Sequence, residues 1–147
     1  MPPRTEILAD RVVKEQAQAA AALELAKTLR AGEIGRRSGL FSVPPVLAAH
    51  AGRIEFARIA GLQPLRATLG SPGWESRVAA AAAALAEIHR SLVLPECRPV
   101  PGLPSRNLHF LHGDYSPTNV QIDPSGTLWI LDWAAADGLG PLATVGP

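Results

Sequence analysis

The stretch that decides the fold is His112-Gly113-Asp114-Tyr115-Ser116-Pro117-Thr118-Asn119, followed by Leu131-Asp132-Trp133. Between these two motifs, residues 120–123 and 127–131 have strand-like patterns on either side of the turn signal Pro124-Ser125-Gly126. In an antiparallel hairpin, the residue before the first strand lies beside the residue after the second. Those residues are Asn119 and Asp132, so the hairpin brings an amide oxygen and a carboxylate together.

These side chains favour phosphate chemistry. Two hard oxygen ligands at the mouth of a loop suit Mg²⁺, which takes few protein ligands and completes its shell with water and phosphate oxygens. Asp114 lies five residues before Asn119, where its carboxylate could accept a proton from an attacking hydroxyl or orient that hydroxyl. Phosphoryl transfer divides the work in this way, with metal ligands at the phosphates and an Asp at the nucleophile.

The pattern His-Gly-Asp, four residues, Asn, and then Asp-Trp after a hairpin resembles the aminoglycoside phosphotransferase and choline kinase superfamily. The resemblance implies a protein-kinase-like α+β fold and a transfer of the γ-phosphate of ATP (or GTP) to a hydroxyl of a small molecule. It implies that Asp114 is the catalytic base, that Asn119 and Asp132 bind Mg²⁺, and that His112 is a structural anchor of the loop.

The resemblance extends upstream by order and spacing. Val12-Val13-Lys14 resembles the strand whose Lys grips the α- and β-phosphates, and Glu24 on the next helix would be its ion-pair partner. Ile59-Ala60-Gly61 would be the hinge under the adenine, so Ile59 is a candidate nucleotide contact. The alternative for each charge is a solvated position at a strand or helix end, and Glu15 could also compete for the role assigned to Lys14.

We expect two partial lobes. Residues 1–61 would form a nucleotide-binding small lobe of strand, helix and hairpin, and residues 62–147 a mainly helical large lobe that carries the catalytic-loop hairpin. The segments predicted are a short strand over 7–13 that ends at Lys14, a helix over 15–31 that stops at Gly32, a loop over 32–39, a hairpin over 46–59, a helix from Ser71 or Trp74 to Leu92, and a proline-rich connector over 94–104.

Composition excludes some partners. The 147 residues are 47% hydrophobic and 18% charged, with a net charge of +1, which is typical of a globular domain and calls for neither nucleic acid nor an anionic membrane. Cys97 is the only cysteine, so no intramolecular disulfide forms, which suits a reducing cytoplasm. We expect a cytoplasmic protein; its oligomeric state is not readable from these features.

The chain is expected to cover only the middle of the family's domain. Thirteen residues without a glycine precede Lys14, which leaves no room for two strands and a turn before it, and 15 residues follow Asp132. We therefore expect weak or no turnover from this chain alone. A non-catalytic kinase-like fragment or a nucleotide-binding module is the alternative function, and the identity of the acceptor is left open.

Overall fold

A computed structural model describes residues 2–92, 108–110, 112–134 and 143–145. The chain begins with a four-stranded antiparallel sheet of order β1-β2-β4-β3. Its strands are β1 (Arg4–Ile7), β2 (Arg11–Glu15), β3 (Val46–His50) and β4 (Arg53–Ala57). The predicted hairpin is confirmed as β3 and β4, and its turn is at Ala51-Gly52.

The predicted strand that ends at Lys14 is confirmed in its second half as β2, but it does not begin at residue 7, because residue 7 ends the separate strand β1. The chain turns back between β1 and β2, and the amide of Leu8 donates to the carbonyl of Arg11 at 2.8 Å. Because the turn contains neither glycine nor proline, it lacks the usual sequence signals. The result is that Lys14 lies on a strand with a hydrogen-bonded neighbour on each side.

Helix α1 spans Gln18–Ser38, so the predicted stop at Gly32 and the predicted loop over 32–39 are wrong. The helix ends instead at Gly39, whose φ of 70° is left-handed. Gly35 is needed inside the helix, because a Cβ atom there would lie 2.4 Å from the carbonyl oxygen of Phe41. Tertiary packing therefore outweighs the weak helix propensity of glycine.

The next segment leads to a long helix. It contains β5 (Gln63–Pro64), α2 (Leu65–Thr68) and α3 (Trp74–Ser91). Of the two predicted starts for α3, the structure has the one at Trp74. Ser71 is not its N-cap: the Ser71 hydroxyl donates to the carbonyl of Thr68 and accepts from Arg77, whereas the N-cap position is Gly73.

Four short strands complete the described residues: β6 (Leu108–Phe110), β7 (Val120–Ile122), β8 (Leu128–Ile130) and β9 (Ala143–Val145). The predicted hairpin is confirmed, since β7 pairs with β8 and also with β5. Strand β9, which pairs with β6, was not predicted. The proline-rich connector over 94–104 lies outside the described residues.

The main core joins α1 and α3 to the β7–β8 hairpin. It buries side chains from all three, among them Ile34, Ile88 and Ile130, and a smaller cluster lies under the first sheet. The core thereby holds the end of the hairpin, with Asn119 and Asp132, close to α1 and the Lys14 strand. No helix in the described ranges is long and apolar enough to cross a membrane.

Candidate active site

His112 anchors the loop that carries Asp114. Its side chain is 1% exposed. Its Nε2–H donates to the carbonyl of Leu131 at 2.7 Å, and its Nδ1 accepts the amide N–H of Asp114 at 3.1 Å. One nitrogen donates and the other accepts, so the imidazole is neutral. Burial lowers the pKa of His112 to about 4, against the hydrogen bond to Leu131.

Asn119 and Asp132 lie together at the open end of the hairpin. The amide of Leu131 donates to the carbonyl of Asn119 at 2.9 Å, which extends the pairing of β7 and β8 by one step. The Asn119 side-chain nitrogen donates to the carbonyl and to Oδ2 of Asp114, at 2.9 and 3.0 Å. Its amide oxygen is then the atom left to bind a cation.

Asp132 has an unusual backbone. Its φ of 58° is in the left-handed region, which a non-glycine residue adopts rarely and at a cost of about 1–3 kcal/mol. Its Oδ1 lies 2.7 Å from Nζ of Lys14, and 43% of the side chain is exposed. The carboxylate is thus both paired and open to the cleft.

Lys14 bridges two carboxylates. Its Nζ also lies 2.7 Å from Oε1 of Glu24, whose side chain is 1% exposed. Burial acts to lower the pKa of Lys14, but Glu24 and Asp132 outweigh it and raise the pKa above its ordinary value. Lys14 therefore stays cationic at neutral pH.

Sequence reasoning missed two polar side chains near this pair. Gln16 is 8% exposed, and its Nε2 donates to the second oxygen of Glu24 at 2.5 Å. Lys27 is 2% exposed, and its Nζ donates to the carbonyl of His112 at 2.9 Å. The available signal for Lys27 was its position three residues after Glu24, on the same helix face.

The six predicted site residues line one cleft with a volume of about 1030 Å³. They come from three parts of the chain: the first sheet and α1, the segment after β4, and the loop and hairpin ends. They are Lys14, Glu24, Ile59, Asp114, Asn119 and Asp132. Their roles stay predictions, but the structure brings every one of them to the same cavity.

The donor set in this cleft fits Mg²⁺ better than zinc. In the described part of the chain, no group of three or more His, Cys, Asp or Glu side chains is arranged to hold a metal ion. Zinc sites take three or four nitrogen and sulfur ligands, whereas Mg²⁺ is held by one or two carboxylates and the substrate's phosphates. An amide oxygen from Asn119 and a carboxylate from Asp132 match the second case.

Comparison with solved structures identifies the fold that carries this cleft. A choline/ethanolamine kinase family protein from Mesorhizobium loti is similar in structure over 91% of this chain, with a TM-score of 0.57 and 18% sequence identity. The chain has a choline kinase-like fold. It spans 55% of the length of that protein. No protein-family model matches it, and no curated protein does.

Proposed function

We propose that this chain carries the site of a phosphotransferase, which transfers the γ-phosphate of ATP (or GTP) to a hydroxyl of a small molecule. One observation supports the proposal most strongly: a lysine, an amide and three carboxylates from distant parts of the sequence line one cleft. The fold, which is similar to that of a choline/ethanolamine kinase family protein, gives independent support.

Asp114 would act on the acceptor. Its carboxylate is exposed, and the nitrogen of Asn119 holds one oxygen at 3.0 Å. The other oxygen can accept the proton of the acceptor hydroxyl as its oxygen bonds to the γ-phosphorus. The bond from that phosphorus to the bridging oxygen breaks, and the nucleoside diphosphate leaves with its electron pair.

Lys14, Asn119 and Asp132 would bind the phosphate end of the nucleotide. Asn119 and Asp132 would hold Mg²⁺, which when bound neutralises charge on the phosphate oxygens. Lys14 would donate to the α- and β-phosphates while Glu24, buried and also held by Gln16, keeps it in place. Ile59, which also lines the cleft, would contact the base.

The proposal extends to partners and setting. The net charge of +1 supports a small-molecule acceptor over nucleic acid or an anionic membrane. A cytoplasmic location and a division into a small lobe (1–61) and a large lobe (62–147) remain predictions. A second candidate is a non-catalytic kinase-like module that binds nucleotide in the same cleft.

The deciding experiment is calorimetric titration of the purified chain with a non-hydrolysable ATP analogue, with and without Mg²⁺. The test variant is Asp132→Asn, because asparagine tolerates the positive φ and removes the negative charge and one ligand oxygen at nearly constant size. The matched control is Glu75→Ala, an exposed acid in the first turn of α3. We expect Mg²⁺-dependent binding that weakens at least tenfold in Asp132→Asn and is unchanged in Glu75→Ala.

A folded, monodisperse wild type without Mg²⁺-dependent binding would refute the proposal, as would equal affinity of Asp132→Asn. Binding in the wild type should be followed by a screen of small alcohols for release of the nucleoside diphosphate. Binding without turnover on any acceptor favours the nucleotide-binding module, and turnover that Asp114→Asn abolishes favours the enzyme.

A further inference from the structure

Of the two lysines of this protein, one lines the candidate active site and the other is buried beside the loop that carries Asp114. Of its 14 Lys and Arg residues, only Lys14 and Lys27 are lysines, and every other basic residue is an arginine. Lys14 lies 2.7 Å from two carboxylates, and Lys27 is buried against the main chain of the loop that carries Asp114. A lysine offers a compact point charge where a planar guanidinium needs more room.

Lys27 is a buried cation that takes no part in the proposed reaction. Its side chain is 2% exposed, and its Nζ donates at 2.9 Å to the carbonyl of His112. Burial lowers its pKa to about 8, while the charges of Glu24 and Asp132 act in the opposite direction. Burying an ammonium is costly, and an apolar side chain of similar volume would fill the same space at lower cost.

His112 connects Lys27 to the residues proposed to react. Its carbonyl accepts a hydrogen bond from Nζ of Lys27, and its ring is hydrogen-bonded to the amide of Asp114 and to the carbonyl of Leu131, the residue before Asp132. On the same face of α1, Glu24 holds Lys14. A single helix therefore reaches both the phosphate-binding lysine and the loop of the catalytic base.

We propose that Lys27 is a positioning residue that fixes the loop of Asp114 to helix α1 through the carbonyl of His112. The relevance of this role to catalysis rests on the proposed phosphotransferase function, but the structural coupling does not. The ammonium, and not only the volume of the side chain, is what holds the loop. Loss of the charge at constant volume should therefore loosen residues 113–119 while the first sheet stays protected.

The test compares two side chains of equal size on the same backbone. Lys27→Cys is made in a Cys97→Ser background, alkylated in denaturant, and refolded. Aminoethylation restores a lysine with sulfur in place of one methylene group, whereas propylation places a methyl group where the ammonium was. Hydrogen exchange of the Asp114 and Asn119 amides is then measured against that of the β3–β4 hairpin, beside an Arg30→Met control on α1.

We expect the propylated protein to exchange these loop amides at least tenfold faster than the aminoethylated one, with the β3–β4 amides unchanged. Its affinity for the Mg²⁺-bound ATP analogue should fall about tenfold, and aminoethylation should restore it. Equal loop exchange in the two folded forms, within twofold, would overturn the proposal. Uniform acceleration of all amides would also overturn it, because it would show a general loss of packing.

A measurement on the wild type covers the case in which the propylated form does not fold. Selective ¹³C and ¹⁵N labelling of lysine gives only two side chains to assign. We expect proton contacts between the ε-methylene of Lys27 and the backbone of His112 or Gly113, and their absence would overturn the proposal. If the wild type binds no nucleotide, the phosphotransferase function fails, while loop exchange and these contacts still decide the role of Lys27.

Discussion

Acidification from pH 7 to pH 5 should destabilise this protein through His112. The imidazole is neutral in the folded state, because its two nitrogens are committed to the carbonyl of Leu131 and the amide of Asp114. Protonation would turn the acceptor nitrogen into a donor that faces another donor. The proton is therefore taken up more readily by the unfolded chain, where the imidazole is solvated.

The magnitude follows from the difference between the two pKa values. The ordinary pKa of 6.5 falls to about 4 in the folded state. Between pH 6.5 and pH 4 the unfolded chain therefore binds more protons than the folded chain, and the free energy of unfolding decreases as the pH is lowered. Each unit of pKa difference corresponds to about 1.36 kcal/mol, so the free energy of unfolding is lower by about 3 kcal/mol at pH 4 than at neutral pH. About 2 kcal/mol of this loss occurs between pH 7 and pH 5. Side-chain carboxylates with lowered pKa values lose their stabilisation at lower pH, so this window isolates the histidine.

Urea unfolding followed by tryptophan fluorescence measures the effect, because Trp133 lies with its ring centroid 4.5 Å from that of His112. The free energy of unfolding is determined at pH 7 and pH 5 for the wild type, for His112→Gln, and for the control His89→Gln on the exposed side of α3. The wild type and the control should lose about 2 kcal/mol, and His112→Gln should lose little. If His112→Gln loses as much as the wild type, the reasoning is wrong.

The remaining predictions concern packing and the hairpin turn. Gly35→Ala should destabilise the protein by about 1–3 kcal/mol, because its Cβ would meet the carbonyl of Phe41 at 2.4 Å. In the same helix, the Cβ atom of Gly32→Ala would meet no atom nearer than 3.5 Å, so this variant should stabilise the protein by up to about 1 kcal/mol. Urea unfolding in which both variants change the free energy of unfolding in the same direction would contradict these two predictions. Asp123→Ala should lower the melting temperature, because its carboxylate accepts from the indole of Trp129 and from backbone amides of the turn. Hydrogen bonds with Ser125 and Trp129 lower the pKa of Asp123 to about 2, so the stabilisation by its carboxylate is present above about pH 4 and disappears as the pH falls through 2. Equal melting temperatures of the wild type and Asp123→Ala at neutral pH would disprove this prediction.

The predictable parts of this site are those that a local pattern determines. The hairpin between residues 120 and 130 has an alternating first strand and an apolar second strand on either side of a proline-glycine turn, and its pairing alone brings Asn119 beside Asp132. Lys14 and Glu24 were assigned to one site by the resemblance to a known family, and the structure brings both to the lining of the cleft. The hairpin inference depends on periodicity and turn signals, which a sequence displays directly.

The features that could not be predicted from the sequence depend on tertiary contacts. Gly32 and Gly35 are ordinary stop signals, but the second one lets Phe41 approach the helix, and α1 continues to Ser38. Strand β9 has only three residues, and its pairing with β6 is not encoded in a pattern of its own. Burial of Gln16 is equally invisible in a sequence, because glutamine is a common surface residue.

The backbone of Asp132 is held by contacts of its neighbours in the chain, in addition to the ion pair of its carboxylate with Lys14. On one side, His112 holds the carbonyl of Leu131; on the other, the buried indole of Trp133 donates to the carbonyl of Ile130 at 3.1 Å. A non-glycine residue stays at a φ of 58° only when its surroundings fix it. Under the proposed function, Lys14 would exchange Asp132 for a phosphate while the backbone of Asp132 keeps its carboxylate in the cleft, as a phosphate-binding lysine in contact with a magnesium ligand would require.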